Sequence, residues 1–277
     1  MKSRKLKIDI RHIILIAVII AVLIYAYTNI NNNSYENSNT NTEYVQDINV
    51  IPDTPEDIGI IPDISDTNED GQLELTGYTH YWFGDVPEFS GEPFYMLNNG
   101  VPFFTDDEIT TDVFEEYSEL DELGRCGVAY ANICKELMPT EKRGNISSVK
   151  PSGWHSVKYE KIVSGGSLYN RCHLIGYQLA GENANKLNLI TGTRYLNIEG
   201  MLPFEDLTDD YVEDTGNHVL YRVTPVFTGD NLVADGVLME GLSVEDKGAT
   251  VSFCAFCYNV QPGITIDYAT GESWITE

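Results

Sequence analysis

The feature that most limits how this chain can fold is an uncharged, apolar segment near its N-terminus. Residues 13–28 read IILIAVIIAVLIYAYT, and extension to Ile30 approaches the roughly 20 residues that a helix needs to cross a bilayer. The preceding flank carries five Lys and Arg residues against one acid, Asp9. Because such a flank stays in the cytoplasm, the pattern predicts export of everything that follows. Residues 1–12 are then a cytoplasmic tail, and residues 13–30 are either a transmembrane anchor or a cleavable signal segment.

The next stretch, residues 31–75, has the composition of a linker. It carries eleven acidic residues and no Lys or Arg, and it is rich in Asn, Thr and Pro. Such a composition cannot bury enough apolar surface to offset its ordering entropy, which predicts disorder. Aromatic residues become dense at 78–83, so we place one folded domain at 76–277. The predicted location is the extracellular face of the cell membrane, or the medium if the segment is cleaved.

Within this domain the apolar spacing predicts an α+β fold with a mostly antiparallel sheet. Turn residues Asn98-Asn99-Gly100 between apolar runs predict a hairpin, and helical spacing follows it. The C-terminal third contains four strand-like runs separated by Gly, Asp and Asn. The predicted elements are a hairpin at 93–104, helices at 110–122, 174–186 and 195–213 (interrupted by Pro203), a short apolar segment at 187–191, and strands at 126–133, 218–228, 232–241, 250–260 and 264–268.

Five cysteines are too few to build a disulfide scaffold in a domain of this size. Export permits a bridge, and Cys126 with Cys134 is the most natural local pair. Cys254 and Cys257 have the spacing of a zinc site. They lie in an apolar, aromatic run without a second Cys or His pair, which favours a place in the core.

One stretch of this acidic chain is basic. The whole chain has a formal net charge of −26, yet residues 135–194 carry nine Lys and Arg against four acids. A local basic region is typical of a surface that contacts a polyanion, because phosphate contacts supply most non-specific affinity for nucleic acid. A surface whose charge merely fluctuates in sign is the alternative.

The densest group of polar residues with catalytic chemistry lies inside this basic region and just after it. A neutral His such as His173 can take a proton from water near pH 7. The side-chain carbonyl of an Asn is a ligand that a hard divalent cation accepts. On a strand, Arg171 would point to the same side as His173 and could hold a phosphate oxygen. Structural roles are the alternatives: a core His, Asn residues as caps or turns, and Glu205 as a surface or first-turn acid.

The sequence of this region resembles the DNA/RNA non-specific endonuclease family, and especially its streptococcal-type secreted DNase branch. Asn170-Arg171-Cys172-His173 occupies the place of the family's Asp-Arg-Gly-His motif. Asn197 follows His173 by 24 positions, Asn188 precedes Asn197 by nine, and Glu205 follows it by eight. Thr191–Arg194 and Tyr258–Ile264 also look like that branch, and the likeness covers residues 78–275.

This resemblance implies a ββα-metal (His-Me finger) core that hydrolyses phosphodiester bonds of DNA, with RNA as a second substrate. It implies that His173 is the general base and that Asn197 binds one Mg²⁺, with Mn²⁺ as the alternative cation. Asn188 and Glu205 are expected to support the water shell of the metal or the geometry of the His. Arg171 and Arg194 are the expected phosphate contacts.

Two motif positions depart from the family pattern. Asn170 replaces an acid, and Cys172 replaces a Gly. Asn still forms hydrogen bonds and Cys is small, so we expect activity to survive, with sensitivity to oxidation at Cys172. The competing hypothesis is a non-catalytic cell-surface module that binds nucleic acid or another polymer through the basic region and retains a vestigial nuclease site.

Overall fold

The computed structural model describes residues 86–276. The predicted cytoplasmic tail, membrane segment and acidic linker, and the first residues of the predicted domain, lie outside the described residues. Between residues 86 and 276, no helix is both long enough and apolar enough to cross a membrane.

A six-stranded antiparallel sheet forms the larger part of the domain, in the order β1-β8-β7-β6-β3-β2. The strands β6, β7 and β8 form its centre, and they are buried along nearly their whole length. This agrees with the predicted antiparallel sheet. The strands of this sheet are β1 (Phe94–Met96), β2 (Glu115–Tyr117), β3 (Ala129–Ile133), β6 (Val219–Val226), β7 (Gly236–Ser243) and β8 (Ser252–Tyr258).

A second, smaller unit packs against one face of this sheet. Strands β4 (Tyr169–His173) and β5 (Leu189–Thr193) form an antiparallel pair, with a four-residue helix α1 (Tyr177–Ala180) between them. A π-helical turn (Leu196–Met201) follows β5 and runs directly into helix α2 (Leu202–Thr215). The order is therefore strand, strand, helix. Cys172, Ile190, Leu196 and Phe204 of this unit join Tyr221 and Phe253 of the sheet in the main hydrophobic core.

A two-stranded hairpin completes the described fold. It consists of β9 (Ile264–Ile266) and β10 (Ser273–Ile275). Ile264 and Ile266 pack with Leu168 and Tyr169 in a separate apolar cluster beside the start of β4. The sequence pattern predicted the strand at 264–268 and missed β10.

Three predicted elements before residue 187 were wrong. The 93–104 segment is not a hairpin, because β1 pairs with β8 and the amide of Phe103 donates to Glu240. No helix forms at 110–122: the buried amide of Asn132 donates to the carbonyls of Thr110 and Asp112, and β2 pairs with β3. The 174–186 helix ends after one turn, because Gly181 adopts the left-handed backbone conformation that closes a helix.

The later elements were predicted better. The 195–213 region is helical throughout as a π turn followed by α2, with Pro203 in the first turn of α2. The strands predicted at 218–228, 232–241 and 250–260 correspond to β6, β7 and β8.

The suggested Cys126–Cys134 bridge is absent, and all five cysteines are free and buried. Cys126 precedes β3 and Cys134 follows it, so a five-residue strand of roughly 17 Å separates them, whereas a disulfide needs Cα atoms within about 7 Å. The Cys126 thiol instead donates to the carbonyls of Lys186 and Leu189.

A buried ion pair ties the segment after β1 to the sheet. Arg222 is fully buried on β6 and makes two hydrogen bonds, at 2.8 and 3.1 Å, to the carboxylate of Glu240 on β7. Arg222 also forms an ion pair with Glu108, in which Nη1 and Oε1 lie 3.0 Å apart. Glu240 also accepts the amide of Phe103, so one carboxylate holds both the sheet interior and the loop that covers it.

We predict that the thiols of the native protein resist modification. Burial raises the pKa of Cys126 to about 11 and that of Cys254 to about 12, so little reactive thiolate forms near neutral pH. A colorimetric thiol reagent added without reductant should react slowly with the native chain and rapidly with all five cysteines in guanidinium. Fewer than five reactive thiols in the denatured chain would reveal a disulfide and contradict the structure.

We predict that Glu240→Gln is strongly destabilising. It leaves the buried Arg222 guanidinium without its main counter-charge, which costs about 3–5 kcal/mol in the free energy of unfolding. The matched control is Glu213→Gln, because Glu213 pairs with Lys135 on the surface, where such a pair contributes less than about 1 kcal/mol. Urea denaturation measures both, and equal losses would show that the buried pair is not a special anchor.

Candidate active site

The ββα unit carries the predicted catalytic residues on its first strand and on the helix that follows its second strand. His173 is the last residue of β4 and lies across from Leu189, the first residue of β5. Asn197 is the second residue of the π turn that follows β5. The chain therefore passes His173 at the end of one strand, returns through β5, and presents Asn197 as the helix begins.

The π turn sets which residues share a face of this helix. A π turn holds about one residue more than the roughly 3.6 of an α turn. One π turn and one α turn together therefore take about eight residues, which is the interval from Asn197 to Glu205. The two side chains consequently lie on the same face, two turns apart. In an uninterrupted α-helix, the same interval would leave them offset by roughly 80°.

The hydrogen bonds of His173 define its tautomer. Its Nδ1 lies 3.1 Å from Nη2 of Arg143, and its Nε2 lies 2.9 Å from the backbone oxygen of Asn183. Arg is only a donor and a carbonyl is only an acceptor, so Nε2 carries the proton and Nδ1 is free to accept one. Burial, with the charge of Arg143 acting in the same direction, lowers the pKa of His173 below its ordinary value. The side chain is thus held as a neutral base.

Arg143 is a site residue that the sequence reasoning did not single out. It was one of the nine cations of the basic region, in a segment without strand or helix pattern. The residue is exposed, yet its guanidinium contacts His173, and its positive charge partly opposes the rise in the pKa of the Glu205 carboxyl that burial causes. Sequence spacing carried no signal for it, because 30 positions of loop and strand separate it from His173.

Glu205 lies in the first turn of α2, and only 9% of it is exposed. Gly176 leaves the space for its carboxyl, because a Cβ at position 176 would lie 2.8 Å from Oε2 of Glu205. Burial, and then the negative charge of Asp206, raises the pKa of Glu205 to about 8. An acidic group this deeply desolvated next to a neutral His and a cation is typical of a functional site.

Asn197 has the environment that a metal ligand needs. Its side chain is half-buried and forms no hydrogen bond with any residue from 86 to 276, which leaves the carbonyl oxygen available. Over the same range no three His, Cys, Asp or Glu side chains converge as a ready-made metal cage. This donor set fits a hard cation such as Mg²⁺, which keeps several waters and takes only one or two protein oxygens.

Asn188 is placed behind the site. It is fully buried, its Oδ1 accepts the amide of Ile175, and its Nδ2 donates to the carbonyl of the same residue. Its own backbone carbonyl accepts the amide of Leu174. Asn188 therefore fixes the two residues that follow His173, and both polar atoms of its side chain form hydrogen bonds with this turn.

The two predicted phosphate contacts differ in their surroundings. Arg171 lies on the same face of β4 as His173, as expected, but it donates to the carbonyls of Val149 and Ser147 and stacks 4.0 Å from the ring centre of Trp154. These contacts hold the loop that continues from Arg143. The guanidinium of Arg194 is half-buried and makes no hydrogen bond or ion pair within the described residues.

The two departures from the family motif lie on the inner face of β4. The Cys172 thiol is fully buried over Gly192, where a Cβ would lie 2.3 Å from its Sγ. Burial raises the pKa of this thiol, and both effects argue against the expected sensitivity to oxidation. Asn170 has a buried Nδ2 with no hydrogen-bond partner in the described part of the chain.

A strand–strand–helix unit with a His at the end of its first strand and an Asn at the start of its helix is the arrangement typical of a ββα nuclease. The family model for DNA/RNA non-specific endonucleases matches residues 107–244, a range that contains every one of these residues. The chain belongs to the DNA/RNA non-specific endonuclease family, and it is a nuclease.

Solved structures agree with this assignment. NucA from Streptococcus agalactiae, solved with no metal bound, is 28% identical, with a TM-score of 0.60 over 70% of this chain and 92% of that one. The same protein with a magnesium ion bound gives 26% identity and a TM-score of 0.61 over the same shares. Sda1 nuclease with a bound zinc ion is 29% identical, with a TM-score of 0.51 over 59% of this chain and 81% of that one.

We predict that Arg143→Gln raises the pKa of His173. The change removes a positive charge that disfavours the imidazolium, while the backbone contact with Asn183 remains. The protonated form should then persist to higher pH than in the wild type. A titration of the ring chemical shifts of His173 by NMR, in protein without metal, measures the change. Lys142→Gln is the control, since this exposed neighbour makes no contact with the imidazole, and an equal shift there would contradict the assignment.

Proposed function

We propose that this chain is a metal-dependent endonuclease that hydrolyses phosphodiester bonds of DNA, with RNA as a second substrate. The observation that carries the proposal is the fixed tautomer of His173, which presents an unprotonated Nδ1 beside Arg143. A binding module has no use for a desolvated base held in this form. The fold and the family support hydrolysis, and the side-chain roles below are our assignment.

His173 serves as the general base. Its Nδ1 takes a proton from water, and the resulting hydroxide attacks phosphorus while the bond to the 3′ oxygen breaks. The departing oxygen takes a proton from solvent water, so the products are a 5′ phosphate and a 3′ hydroxyl. The Nε2–H bond to Asn183 stabilises the imidazolium that forms, because a carbonyl acceptor favours the charged ring. The lowered pKa keeps His173 in its basic form at neutral pH.

Arg143 serves as the phosphate contact nearest to the base. Its guanidinium is exposed and shares its donors with His173 Nδ1, so an arriving phosphate can draw it away as a better acceptor. That exchange frees Nδ1 for the water. Arg194 is the second phosphate contact in this proposal, while Arg171 holds the 147–154 loop through its contacts with Val149, Ser147 and Trp154.

The cation we propose is Mg²⁺, with Mn²⁺ as the alternative, held through the carbonyl oxygen of Asn197 and its waters. When bound, such an ion neutralises negative charge that develops at the phosphate in the transition state. Glu205, on the same helix face, orients the surrounding waters through its carboxyl. Asn188 fixes the turn after His173 and so acts on the geometry of the base.

We also propose that the domain works outside the cell, on the membrane surface or after release. This rests on the apolar segment at 13–30, its basic flank and the acidic linker that follows. The nine cations at 135–194 offset the acidity of the rest of the domain where the polyanion must approach.

The test is cleavage of supercoiled plasmid and of RNA by the full-length chain in mild detergent, with Mg²⁺, with Mn²⁺ and with a chelator. Cleavage of DNA should require the cation, and His173→Ala should slow it by about 10²–10⁴-fold, the usual contribution of a general base. Asn197→Ala should abolish the dependence on added metal together with most of the activity. His155→Ala is the matched control, because the hydrogen bond that His155 forms among residues 86–276 is with the carbonyl of Thr270, away from His173.

Intact plasmid under every metal condition, from a folded wild-type chain, would overturn the proposal. Retained binding of DNA, weakened by salt and unaffected by His173→Ala, would then favour the surface binding module with a vestigial site.

A further inference from the structure

Asn183 contacts both sides of the active site. Its backbone oxygen accepts the proton of His173 Nε2 at 2.9 Å. Its side-chain Oδ1 accepts the amide of Gly144 at 2.6 Å, across 39 positions of sequence. The first contact fixes the tautomer of the base, and the second holds the loop that carries Arg143.

These contacts close a ring. Gly144 directly follows Arg143, whose guanidinium lies 3.1 Å from His173 Nδ1, and His173 returns to Asn183 through Nε2. The ring contains no other residue, so a displacement of the Asn183 amide moves the arginine relative to the imidazole. Gly144 permits the close approach, because a Cβ there would lie only 3.2 Å from Oδ1.

The orientation of the Asn183 amide is itself fixed. Its Nδ2 faces the carbonyl of Gly181 at 3.5 Å, while its Oδ1 faces the Gly144 amide. If the amide were flipped, Nδ2 would face the N–H of Gly144 and Oδ1 would face the carbonyl of Gly181, and neither pair can form a hydrogen bond. Gly181, with φ of 67°, ends α1 and turns the chain so that Asn183 lies between His173 and Gly144.

The loop around Arg143 has few other ties to the fold. Residues 141–145 are exposed and belong to no strand or helix. Besides Asn183, its anchor is the hydroxyl of Tyr177 in α1, which donates to the carbonyl of Glu141 at 2.6 Å. The Asn183 side chain holds the residue adjacent to Arg143, whereas Tyr177 holds the loop two residues before it.

We propose that Asn183 is a positioning residue, which sets the distance between the general base His173 and the phosphate contact Arg143 through its backbone and its side chain respectively. The inference rests on the nuclease function proposed above. It assigns a separate role to the Asn183 side chain. Any residue at position 183 would supply the backbone carbonyl that His173 contacts, whereas the contact with the Gly144 amide requires a side-chain acceptor of this length.

The test compares kcat and KM for cleavage of a defined DNA duplex by the full-length chain with Mg²⁺. Asn183→Ala keeps the carbonyl and loses the tether, so kcat should fall by about 10-fold or more, as expected for a misplaced catalytic group. Asn183→Asp keeps an acceptor for the Gly144 amide and should recover most of that loss. Asn185→Ala is the matched control, because Asn185 lies in the same loop and its Oδ1 accepts only the local amide of Leu187.

A double-mutant cycle separates positioning from a general loss of structure. In the Arg143→Ala background, Asn183→Ala should cost little further activity, about 2-fold or less, because the arginine it positions is gone. Tyr177→Phe removes the outer tether without touching His173 and should lower kcat less than Asn183→Ala does.

The outcomes distinguish this inference from the function it rests on. An active wild type with Asn183→Ala as active as Asn185→Ala would overturn the role of Asn183 and leave the nuclease intact. Losses that multiply fully in the Arg143→Ala background would also overturn it. A wild type that leaves DNA intact under every metal condition would overturn both. Should Asn183→Ala fail to fold, the comparison of Asn183→Asp and Tyr177→Phe with the wild type decides by the same criteria.

Discussion

The register of the β4–β5 pair is the constraint on which the active site depends. In the observed register, Cys172 packs inward over Gly192 and His173 ends the strand opposite Leu189. A shift of one residue would exchange the two faces of β4, placing the imidazole in the core and the thiol at the surface. The fit of one sulfur against one glycine therefore specifies where the base points. It also explains how Cys is tolerated at a motif position where the family has Gly, because the Cys172 side chain fills the space above Gly192.

Sequence reasoning succeeded where local pattern decides the outcome. The long strands β6, β7 and β8 are buried runs bounded by turn residues. The resemblance to the family singled out His173, Asn188, Asn197 and Glu205, and the structure folds the segment that carries them as the ββα unit, while their roles stay predictions. It failed at 110–122, where helical spacing predicted a helix. In the structure, β2 pairs with β3, and the side-chain amide of the distant Asn132 donates to a backbone carbonyl of this segment. It also passed over Arg143 and Asn183, because both act through contacts between loops that are far apart in sequence. Tertiary contacts of that kind leave no periodic pattern of residues in the sequence.

Electrostatics divides the residues of the site into complementary roles. Desolvation acts on both His173 and Glu205, and it disfavours charge on each: it lowers the pKa of the imidazole and raises that of the carboxyl. The charge of Arg143 acts on both, opposing the shift of the acid and adding to that of the base. This exposed charge thus acts on a buried acid and a buried base, and a polyanionic substrate that attracts it changes the environment of both groups at once.

The π turn at Leu196–Met201 has a consequence for how the chain can vary in length. It contains one residue beyond an ordinary turn, and that residue brings Asn197 and Glu205 into phase. Deletion of one residue between them would restore a regular helix, in which the remaining interval of seven residues turns by roughly 700° and leaves the two side chains only about 20° out of phase. Deletion of a second residue would rotate one side chain away from the other by roughly 120°. The start of this helix should therefore tolerate the natural loss of one residue, with the π turn becoming an α turn, but not the loss of two.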